Sequence, residues 1–257
     1  MLRLASLKNC LDNESHVSFL NAALSANEEL FELLHVKGLD ASHHHLFAVG
    51  AGGDVSAGID LEAEQIFIKH LLPFGEIVSE ESGVIPSPNA QARIILDPID
   101  GSDNLLSHLP YYGTSIAYFE NDKCTQAIIT NLANGDVFIK DETGLRQGKI
   151  GKKDFTLVTC NAFSKVGIFE RSYCSKKAHE KLHDAKIKYR SPGAFALSLA
   201  YAHDVSFVLY EGVMRSYDVE AGLFMCEDLH TFYGGDIFLV SKDKEIFDKI
   251  KSLFISN

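Results

Sequence analysis

The chain has 257 residues, of which 46% are hydrophobic and 23% are charged, a balance typical of globular proteins that bury a large core. Its formal net charge of −11 argues against a nucleic acid as a general partner, because binding to a phosphate backbone requires a basic surface. A small phosphorylated ligand is not excluded, since metal ions can neutralise its charge locally.

The first 150 residues read as helices followed by strands. Apolar residues recur at helical spacing over about 13–36 and again over 61–72, where a proline ends the pattern. The triplet at 43–45 (His43, His44 and His45) favours an exposed loop over a metal site, because adjacent side chains point in different directions. Strands are predicted at 76–79, 93–96, 114–120, 125–131 and 136–140. Asn134-Gly135 predicts a hairpin, so we expect this region to be antiparallel.

Beyond residue 150, strands and helices alternate. Strands are predicted at 156–160, 187–189, 206–210 and 237–240, with helices within 161–184 and at 193–203, 218–230 and from 243 onward. The sequence therefore predicts an α+β or layered α/β protein, in which an N-terminal subdomain (1–150) and a C-terminal subdomain (151–257) form one compact unit.

Cysteine usage and the absence of long apolar runs bear on the compartment. The five cysteines are scattered and form no C-x-x-C pair, which indicates free thiols in a reducing compartment. The N-terminus shows no signal-peptide pattern, and no apolar run approaches the ~20 residues that a membrane helix needs. We therefore expect a cytoplasmic protein that has no membrane partner.

The stretch 94–104 is the most informative part of the sequence. A buried strand ends at Asp97, which the following proline holds in the extended region, and Asp100 comes three positions later. Gly101 permits a tight turn, and Ser102 is predicted to be the N-cap of a short helix. Because Asp-Pro and Asp-Gly are also ordinary turn dipeptides, this stretch alone leaves a plain loop open.

Acidic residues recur where strands end or loops begin. They are Asp54, Asp60, Glu80, Asp97, Asp100 and Asp218. Carboxylates gathered in one cleft repel each other unless a cation holds them. Oxygen ligands without His or Cys favour Mg²⁺, Mn²⁺ or Ca²⁺, and the spacing does not match an EF-hand loop. Two such ions ~3.5–4 Å apart are a common apparatus for phosphoester hydrolysis. Taken singly, each carboxylate could instead be a helix cap or a solvated side chain.

Four segments, in this order along the chain, resemble the inositol monophosphatase family. They are Gly53-Asp54-Val55 with Ile59-Asp60, Glu80-Glu81-Ser82, Asp97-Pro98-Ile99-Asp100-Gly101-Ser102, and Tyr217-Asp218 with Ala221-Gly222. This family comprises Mg²⁺-dependent, lithium-sensitive phosphatases and includes fructose-1,6-bisphosphatase. The resemblance implies a layered α/β/α/β/α sandwich of the sugar-phosphatase type with mixed and antiparallel sheets. It also implies two or three Mg²⁺ ions per site, with Mn²⁺ as an alternative, and a homodimer.

The resemblance implies a set of metal ligands. Glu80, Asp97 and the backbone carbonyl of Ile99 would hold a first ion. Asp97, Asp100 and Asp218 would hold a second ion, so that Asp97 bridges the pair.

The resemblance also implies catalytic and substrate-binding roles. Asp60 and Glu80 would lie beside the attacking water, and the Ser102 hydroxyl would pair with Asp60 to orient and deprotonate it. The backbone N–H groups of Gly101 and Ser102 would bind the phosphate. Further substrate contacts are implied for Gly193, Phe195 and Glu211.

Several alternatives stay open at this point. Inositol 1-phosphate is favoured as the substrate because of Glu211, followed by fructose 1,6-bisphosphate, and then by 3′-phosphoadenosine 5′-phosphate or NADP. Glu220 stands where the family usually has a small residue; facing the pocket, it would disfavour a second anionic group on the substrate. A different class of function is a catalytically silent relative that only binds a phosphorylated metabolite. The intact set of ligands disfavours that class.

Overall fold

The computed structural model of the chain describes residues 19–88, 91–234 and 236–254. Helix α1 covers 19–32 and ends in a π-helical turn at Leu33–Lys37, while the predicted start of this helix near residue 13 lies outside the described residues. The other helices are α2 (Gly58–Leu71), α3 (Ser102–Leu106), α4 (Lys176–Asp184), α5 (Phe195–Ala200), α6 (Ser216–Met225) and α7 (Lys244–Phe254).

The strands fall into an N-terminal and a C-terminal series. The first series is β1 (Leu46–Val49), β2 (Val55–Ala57), β3 (Glu76–Ser79), β4 (Gly83–Ile85), β5 (Ala92–Asp100), β6 (Gly113–Glu120), β7 (Lys123–Asn131), β8 (Asp136–Asp141), β9 (Gly144–Lys149) and β10 (Thr156–Leu157). The second series is β11 (Gly167–Glu170), β12 (Tyr189–Arg190), β13 (Val208–Glu211), β14 (His230–Gly234) and β15 (Ile237–Ser241).

These strands form two large sheets and a two-stranded ribbon of β1 and β2. The first sheet has eight strands in the order β10-β9-β8-β7-β6-β5-β3-β4, and its pairs are antiparallel except for the parallel pair of β3 and β5. The second sheet has five strands in the order β12-β11-β13-β15-β14, with β11 parallel to both neighbours. The hairpin predicted at Asn134-Gly135 is confirmed, since β7 and β8 pair in antiparallel register.

Strand β5 shows why helices cover both faces of the first sheet. Its central segment, 94–96, is apolar without interruption, as expected for a strand that is buried on two sides. Ile94 and Leu96 point to the face that α1 and α2 cover, whereas Ile95 points to the opposite face and packs against α5 and α6. The sheet therefore lies between two helical layers.

The second sheet is covered in the same way. Val208 and Tyr210 of β13 contact α5 and α6, while Leu209 packs toward α4 and α7. The order of layers is thus α1/α2, first sheet, α5/α6, second sheet, α4/α7. This arrangement confirms the predicted α/β/α/β/α sandwich. The first sheet takes its strands from 76–157 and the second from 167–241, while the subdomain boundary at residue 150 stays a prediction.

Some predicted elements are wrong in type or extent. Strand β11 lies within the region predicted to be helical up to residue 184, and β14 begins at the residue where the predicted helix 218–230 was to end. Both strands are too short for periodicity to distinguish them from neighbouring helix. Gly101, not Ser102, occupies the N-cap of α3, and Ser102 is the first helical residue.

The exposed loop predicted for the histidine triplet is wrong for its first member. His43 is only 5% exposed, and its two ring nitrogens are engaged by the Asp40 N–H and by the Glu62 carboxylate. His44 and His45 are exposed, as predicted. A histidine that links a loop to helix α2 in this way has a structural role, and nothing in its contacts indicates a metal.

Among the helices of the described residues, none combines the length and the hydropathy that a bilayer span requires.

Candidate metal centre

Three carboxylates from distant parts of the chain converge at one end of strand β5. Glu80 directly follows β3, Asp97 lies in β5, and Asp218 lies in the first turn of α6. Each offers an oxygen atom, and these atoms all lie within 4.8 Å of one another. The structure therefore brings together three of the five residues predicted to bind metal.

The sheet register accounts for the approach of Glu80 to Asp97. The parallel pairing of β3 with β5 places Ser79 beside Leu96, and the Glu80 N–H donates to the Leu96 carbonyl at 3.0 Å. The residues that follow this pair, Glu80 and Asp97, therefore lie side by side at the same end of the two parallel strands.

Helix α6 supplies the third carboxylate because it packs closely against α5. A Cβ atom at Gly222 would lie 2.5 Å from Leu199 Cβ, so only glycine permits this approach of the two helices. The Ser115 hydroxyl donates to the Tyr217 carbonyl at 3.2 Å and anchors the start of α6 on strand β6. Asp218 is thereby held over the end of β5.

Burial and mutual repulsion make the charged state of this cluster costly. Burial raises the pKa of Asp97 well above its usual range, and the charges of Glu80, Asp100 and Asp218 raise it further. Burial also raises the pKa of Glu80 to about 7, although Arg215 opposes this shift. A bound cation would relieve both penalties, which is the behaviour expected of metal ligands.

A guanidinium group, which sequence reasoning missed, lies against the cluster. Arg215 Nε and Nη2 donate to the two oxygens of Asp218 at 3.0 and 3.2 Å, and Nη1 lies 2.9 Å from Glu80 Oε1. Nη1 also donates to Asp54 at 2.6 Å and to the Gly52 carbonyl at 2.9 Å. The spacing of three residues between Arg215 and Asp218 was the available signal, but it indicates only an ordinary pair at the start of a helix.

Asp100, predicted to be the fifth ligand, lies beside this cluster and is held differently. Its two oxygens accept the backbone N–H groups of Phe195 at 3.0 Å and Leu197 at 2.8 Å, at the start of helix α5. Burial raises the pKa of Asp100 well above its usual range, and these hydrogen bonds oppose the shift. Asp100 is close enough for its charge to raise the pKa of Asp97.

A second buried carboxylate, Glu170 at the end of β11, supports the turn before α5. Glu170 Oε2 accepts the Gly193 N–H at 2.8 Å, and Oε1 accepts the Ser198 hydroxyl, which lies 3.0 Å from the Tyr111 hydroxyl. Glu170 was not predicted as a functional residue, because β11 falls inside a predicted helical region. Its contacts fix the turn that presents N–H groups to Asp100.

Asp60, predicted to be catalytic, occupies the first turn of α2. Its Oδ2 accepts the Ala57 N–H at 2.8 Å. Oδ1 is buried and has no hydrogen-bond partner among the described residues, so the Ser102 hydroxyl does not pair with it here. Burial raises the pKa of Asp60 to about 7, opposed by the Ala57 N–H and reinforced by Glu81 and Glu80. This oxygen is available to a water molecule or a donor from outside the described chain.

The loop that carries Glu80 is fixed by buried polar contacts. Glu64 of α2 accepts the Ser82 N–H at 3.0 Å and the Ser82 hydroxyl at 2.6 Å. The Ser56 hydroxyl donates to Glu81. The carboxylates of Glu64 and Glu81 thus accept hydrogen bonds from nearby donors. Glu80 instead faces Arg215 and the other two carboxylates of the cluster.

The predicted substrate residues lie in two places around the cluster. Gly101 adopts φ +86° at the N-cap of α3, where a Cβ would lie 3.0 Å from Ala194 Cβ, so the turn requires glycine. The Phe195 ring is 6% exposed and stacks on Tyr210 at 4.5 Å, which makes the ring part of the core. The Gly193 N–H is taken by a carboxylate of the chain itself. Substrate contacts of these residues, and of Ser102, stay predictions.

Two further acidic residues stand on α6 and at the end of β13. Glu220 lies within electrostatic range of Arg93 and Cys124, and Arg93 stands four residues before Asp97 on β5, so Glu220 points away from the metal cluster. Glu211 ends β13, and its Oε2 is buried without a hydrogen-bond partner among the residues described. An unpaired buried oxygen is costly and calls for a donor.

A sequence model of the inositol monophosphatase family matches residues 14–242. The chain belongs to the inositol monophosphatase family. Membership confirms the resemblance and relates the chain to phosphoric monoester hydrolases. The fructose-1,6-bisphosphatase of Pyrococcus furiosus is 28% identical over 190 residues, covering 71% of each chain. The Nus factor SuhB of Xylella fastidiosa is 27% identical over 219 residues, covering 81% of this chain and 77% of that one.

Solved structures of this family agree with the fold. The suhB protein of Bartonella henselae superposes with a TM-score of 0.72 at 20% identity, covering 95% of this chain and 100% of its own. The fructose-1,6-bisphosphatase of Leishmania major superposes with a TM-score of 0.77 at 13% identity, covering 93% and 94%. At these identities the likeness supports the sandwich architecture alone.

Proposed function

We propose that this member of the inositol monophosphatase family is a Mg²⁺-dependent phosphomonoesterase that hydrolyses a small phosphorylated metabolite. The observation that carries the proposal is the convergence of Glu80, Asp97 and Asp218, whose oxygens lie within 4.8 Å of one another. Buried carboxylates without nitrogen or sulfur donors suit a hard divalent ion, with Mn²⁺ as an alternative to Mg²⁺. Asp100 and the Ile99 carbonyl would complete the donor set.

The neighbouring residues fit a reaction in which water attacks the phosphorus atom. Divalent ions in such a site neutralise the phosphate charge and lower the pKa of a bound water. Asp60, whose pKa is about 7 and whose Oδ1 has no partner among the described residues, would accept the proton of that water near neutral pH. Ser102 would orient the water, and the N–H groups of Gly101 and Ser102 would contact the phosphate.

Inositol 1-phosphate is the favoured substrate. The buried, unpaired Oε2 of Glu211 is an acceptor that a substrate hydroxyl group would satisfy. Fructose 1,6-bisphosphate is the second candidate. The similarity to a protein named fructose-1,6-bisphosphatase favours it over 3′-phosphoadenosine 5′-phosphate and NADP. Glu220 points away from the cluster and therefore does not oppose a second phosphate on any of these substrates.

A protein without catalysis is the alternative of a different class. One relative carries the name of a Nus factor, so relationship alone does not establish turnover in this chain. The complete set of carboxylates favours an enzyme, because a chain released from catalysis has no reason to keep mutually repelling buried acids.

A substrate panel tests this proposal. Phosphate release is measured with inositol 1-phosphate, fructose 1,6-bisphosphate and 3′-phosphoadenosine 5′-phosphate at a fixed Mg²⁺ concentration, with and without a chelator. We expect inositol 1-phosphate to have the highest kcat/KM and the chelator to abolish turnover. Chelator-resistant turnover would contradict the metal requirement. No turnover on any substrate, with Mg²⁺ bound, would favour the binding-only alternative.

Three further properties are expected, the first two from family membership and the third from the scattered, unpaired cysteines of the sequence. We propose inhibition by lithium in the millimolar range, a homodimer in solution and a cytoplasmic location. Inhibition curves with LiCl against NaCl at equal ionic strength test the first expectation. Light scattering after gel filtration tests the second, and fractionation of cells tests the third.

A further inference from the structure

Arg215 binds the residues that would hold a metal ion more extensively than an ordinary ion pair does. Its three guanidinium nitrogens contact Asp218 and Glu80, both proposed ligands, at 2.9 to 3.2 Å. Nη1 also reaches Asp54 and the Gly52 carbonyl, in the turn between β1 and β2. The fork geometry of arginine suits a cleft walled by carboxylates.

The electrostatics show that this guanidinium acts as the counter-cation of the cluster. Although burial lowers the pKa of Arg215, its contacts with Asp218, Glu80 and Asp54 outweigh burial and raise it. Arg215 in turn opposes the rise in the pKa of Glu80. A permanent positive charge thus compensates part of the negative charge that Glu80, Asp97 and Asp218 would otherwise carry without a cation.

A divalent ion and this guanidinium require the same oxygens. An ion within the cluster would bind Glu80 and Asp218 at about 2.0–2.1 Å. Its double positive charge would then lie close to the guanidinium, which contacts the same two carboxylates. Like charges a few ångströms apart in a partly buried site repel strongly. Arg215 has room to withdraw, since its side chain is 32% exposed and it follows the exposed loop residue Val213.

We propose that Arg215 is a built-in counter-cation of the metal-free site, and that divalent ions bind by displacing it. Arg215 is therefore a positioning residue that sets the metal affinity and ties the turn 50–54 to Glu80 and Asp218 until metal arrives. This inference rests on the proposed metal site and deepens it.

Calorimetric titration with Mg²⁺ tests the inference on the full chain. The variants are Arg215→Met, Arg215→Lys and a matched control, Arg146→Met, whose side chain is 28% exposed and pairs with Asp141 away from the cluster. We expect Arg215→Met to lower the Kd for Mg²⁺ by about tenfold relative to the control, because the competing charge is gone. Arg215→Lys keeps the charge but not the fork, and should fall between the two.

Thermal unfolding gives a second readout that does not depend on catalysis. In the presence of a chelator, Arg215→Met should have a lower Tm than Arg146→Met, because its carboxylates lack a counter-cation. Added Mg²⁺ should then raise the Tm of Arg215→Met by more than that of the control. If Arg215→Met does not fold without metal, Arg215→Lys should show the same two shifts to a smaller extent, because it keeps the charge but loses the paired contacts of the guanidinium.

The outcomes separate this inference from the proposed function. An unchanged or weaker affinity of Arg215→Met, with Mg²⁺ bound normally by the wild type, overturns the displacement of Arg215 and leaves the metal site intact. If Arg215→Met binds Mg²⁺ and the wild type does not, the result supports the inference that Arg215 and the ion compete for the same carboxylates. If no variant binds Mg²⁺, the metal site fails and this inference fails with it.

Discussion

Two groups of buried carboxylates meet at the end of strand β5, and they are stabilised by different means. Asp100 and Glu170 accept backbone N–H groups of residues 193–197. Glu80 and Asp218 instead share the side chain of Arg215. The first group is held by the backbone of the fold itself, whereas the second is held by a side-chain cation that, as proposed above, a metal ion displaces.

This difference has a physical consequence. Backbone N–H groups at the start of a helix are fixed donors, and breaking their hydrogen bonds leaves buried groups unpaired on both sides. A guanidinium on a partly exposed side chain can exchange for another cation while every carboxylate stays satisfied. We infer that the donors around Asp100 and Glu170 make that part of the site rigid. Around Glu80 and Asp218, the guanidinium can be exchanged for a metal ion, and the proposed function depends on this exchange.

Asp97→Asn should produce the largest effect. Loss of the central carboxylate is expected to lower kcat by at least about 10³-fold, because the proposed ions lose a shared ligand. The same change should raise the free energy of unfolding in chelator by about 1–2 kcal/mol, since a buried charge disappears and the Asn Oδ1 can still accept the Ile99 N–H. Steady-state kinetics and urea unfolding measure the two quantities.

A surface carboxylate serves as the matched control for Asp97. Asp248→Asn removes an exposed partner of Lys244 on α7 and should change neither kcat nor stability by a measurable amount. Near-wild-type turnover of Asp97→Asn would refute the bridging role. Loss of stability in chelator would show that Asp97 belongs with the first group, which the backbone holds.

Glu170→Ala should act in the opposite direction on stability. Truncation leaves the Gly193 N–H without its acceptor and takes one partner from the Ser198 hydroxyl, so we expect the free energy of unfolding to fall by about 3 kcal/mol. Glu170→Gln retains an oxygen for Gly193 and can donate to Ser198, which should limit the loss to about 1 kcal/mol. Urea unfolding in chelator compares the two. If Glu170→Ala were as stable as the wild type, Glu170 would not support the fold, and the proposed difference between the two groups of carboxylates would be refuted.

The sequence predicts the metal cluster better than the scaffold that surrounds it. Glu80, Asp97 and Asp218 stand in short motifs whose order along the chain is informative, and the structure brings these three side chains together. The contact between Arg215 and Glu80 could not be predicted in this way, because it depends on how α6 packs against the first sheet. No local pattern reports that distance.

The errors in predicted elements have a similar origin. Glu170 ends a strand of four residues, Gly167–Glu170, and a buried segment that short does not show whether it is strand or helix. His43 was expected to lie in an exposed loop, because adjacent histidine side chains point in different directions and do not suit a metal site. Its ring is instead buried and contacts the Glu62 carboxylate on helix α2. The layer order was predicted through the family resemblance, because the alternation of elements alone indicated only an α+β or layered α/β protein. The tertiary partners of single polar residues could not be predicted by either route.

Asp60 combines features of the two groups, and the pH dependence of its effect on stability distinguishes between them. One oxygen has a backbone donor and the other has no partner among the described residues. Its pKa is about 7 in the folded chain against 3.8 for an ordinary aspartate. Because the folded state binds a proton more tightly, Asp60 stabilises the metal-free fold below about pH 4, and this contribution is lost as the pH rises toward 7.

Asp60→Asn should remove that loss, because its amide is neutral at every pH. In chelator, the Tm of the variant relative to the wild type should increase from pH 4 to pH 7.5, with a gain of about 2 kcal/mol in the free energy of unfolding at the upper end. Catalysis should be abolished throughout, since the proposed proton acceptor is gone. A Tm difference that does not change with pH would mean that Asp60 is already ionised in the metal-free fold, and its place would then be with the satisfied carboxylates.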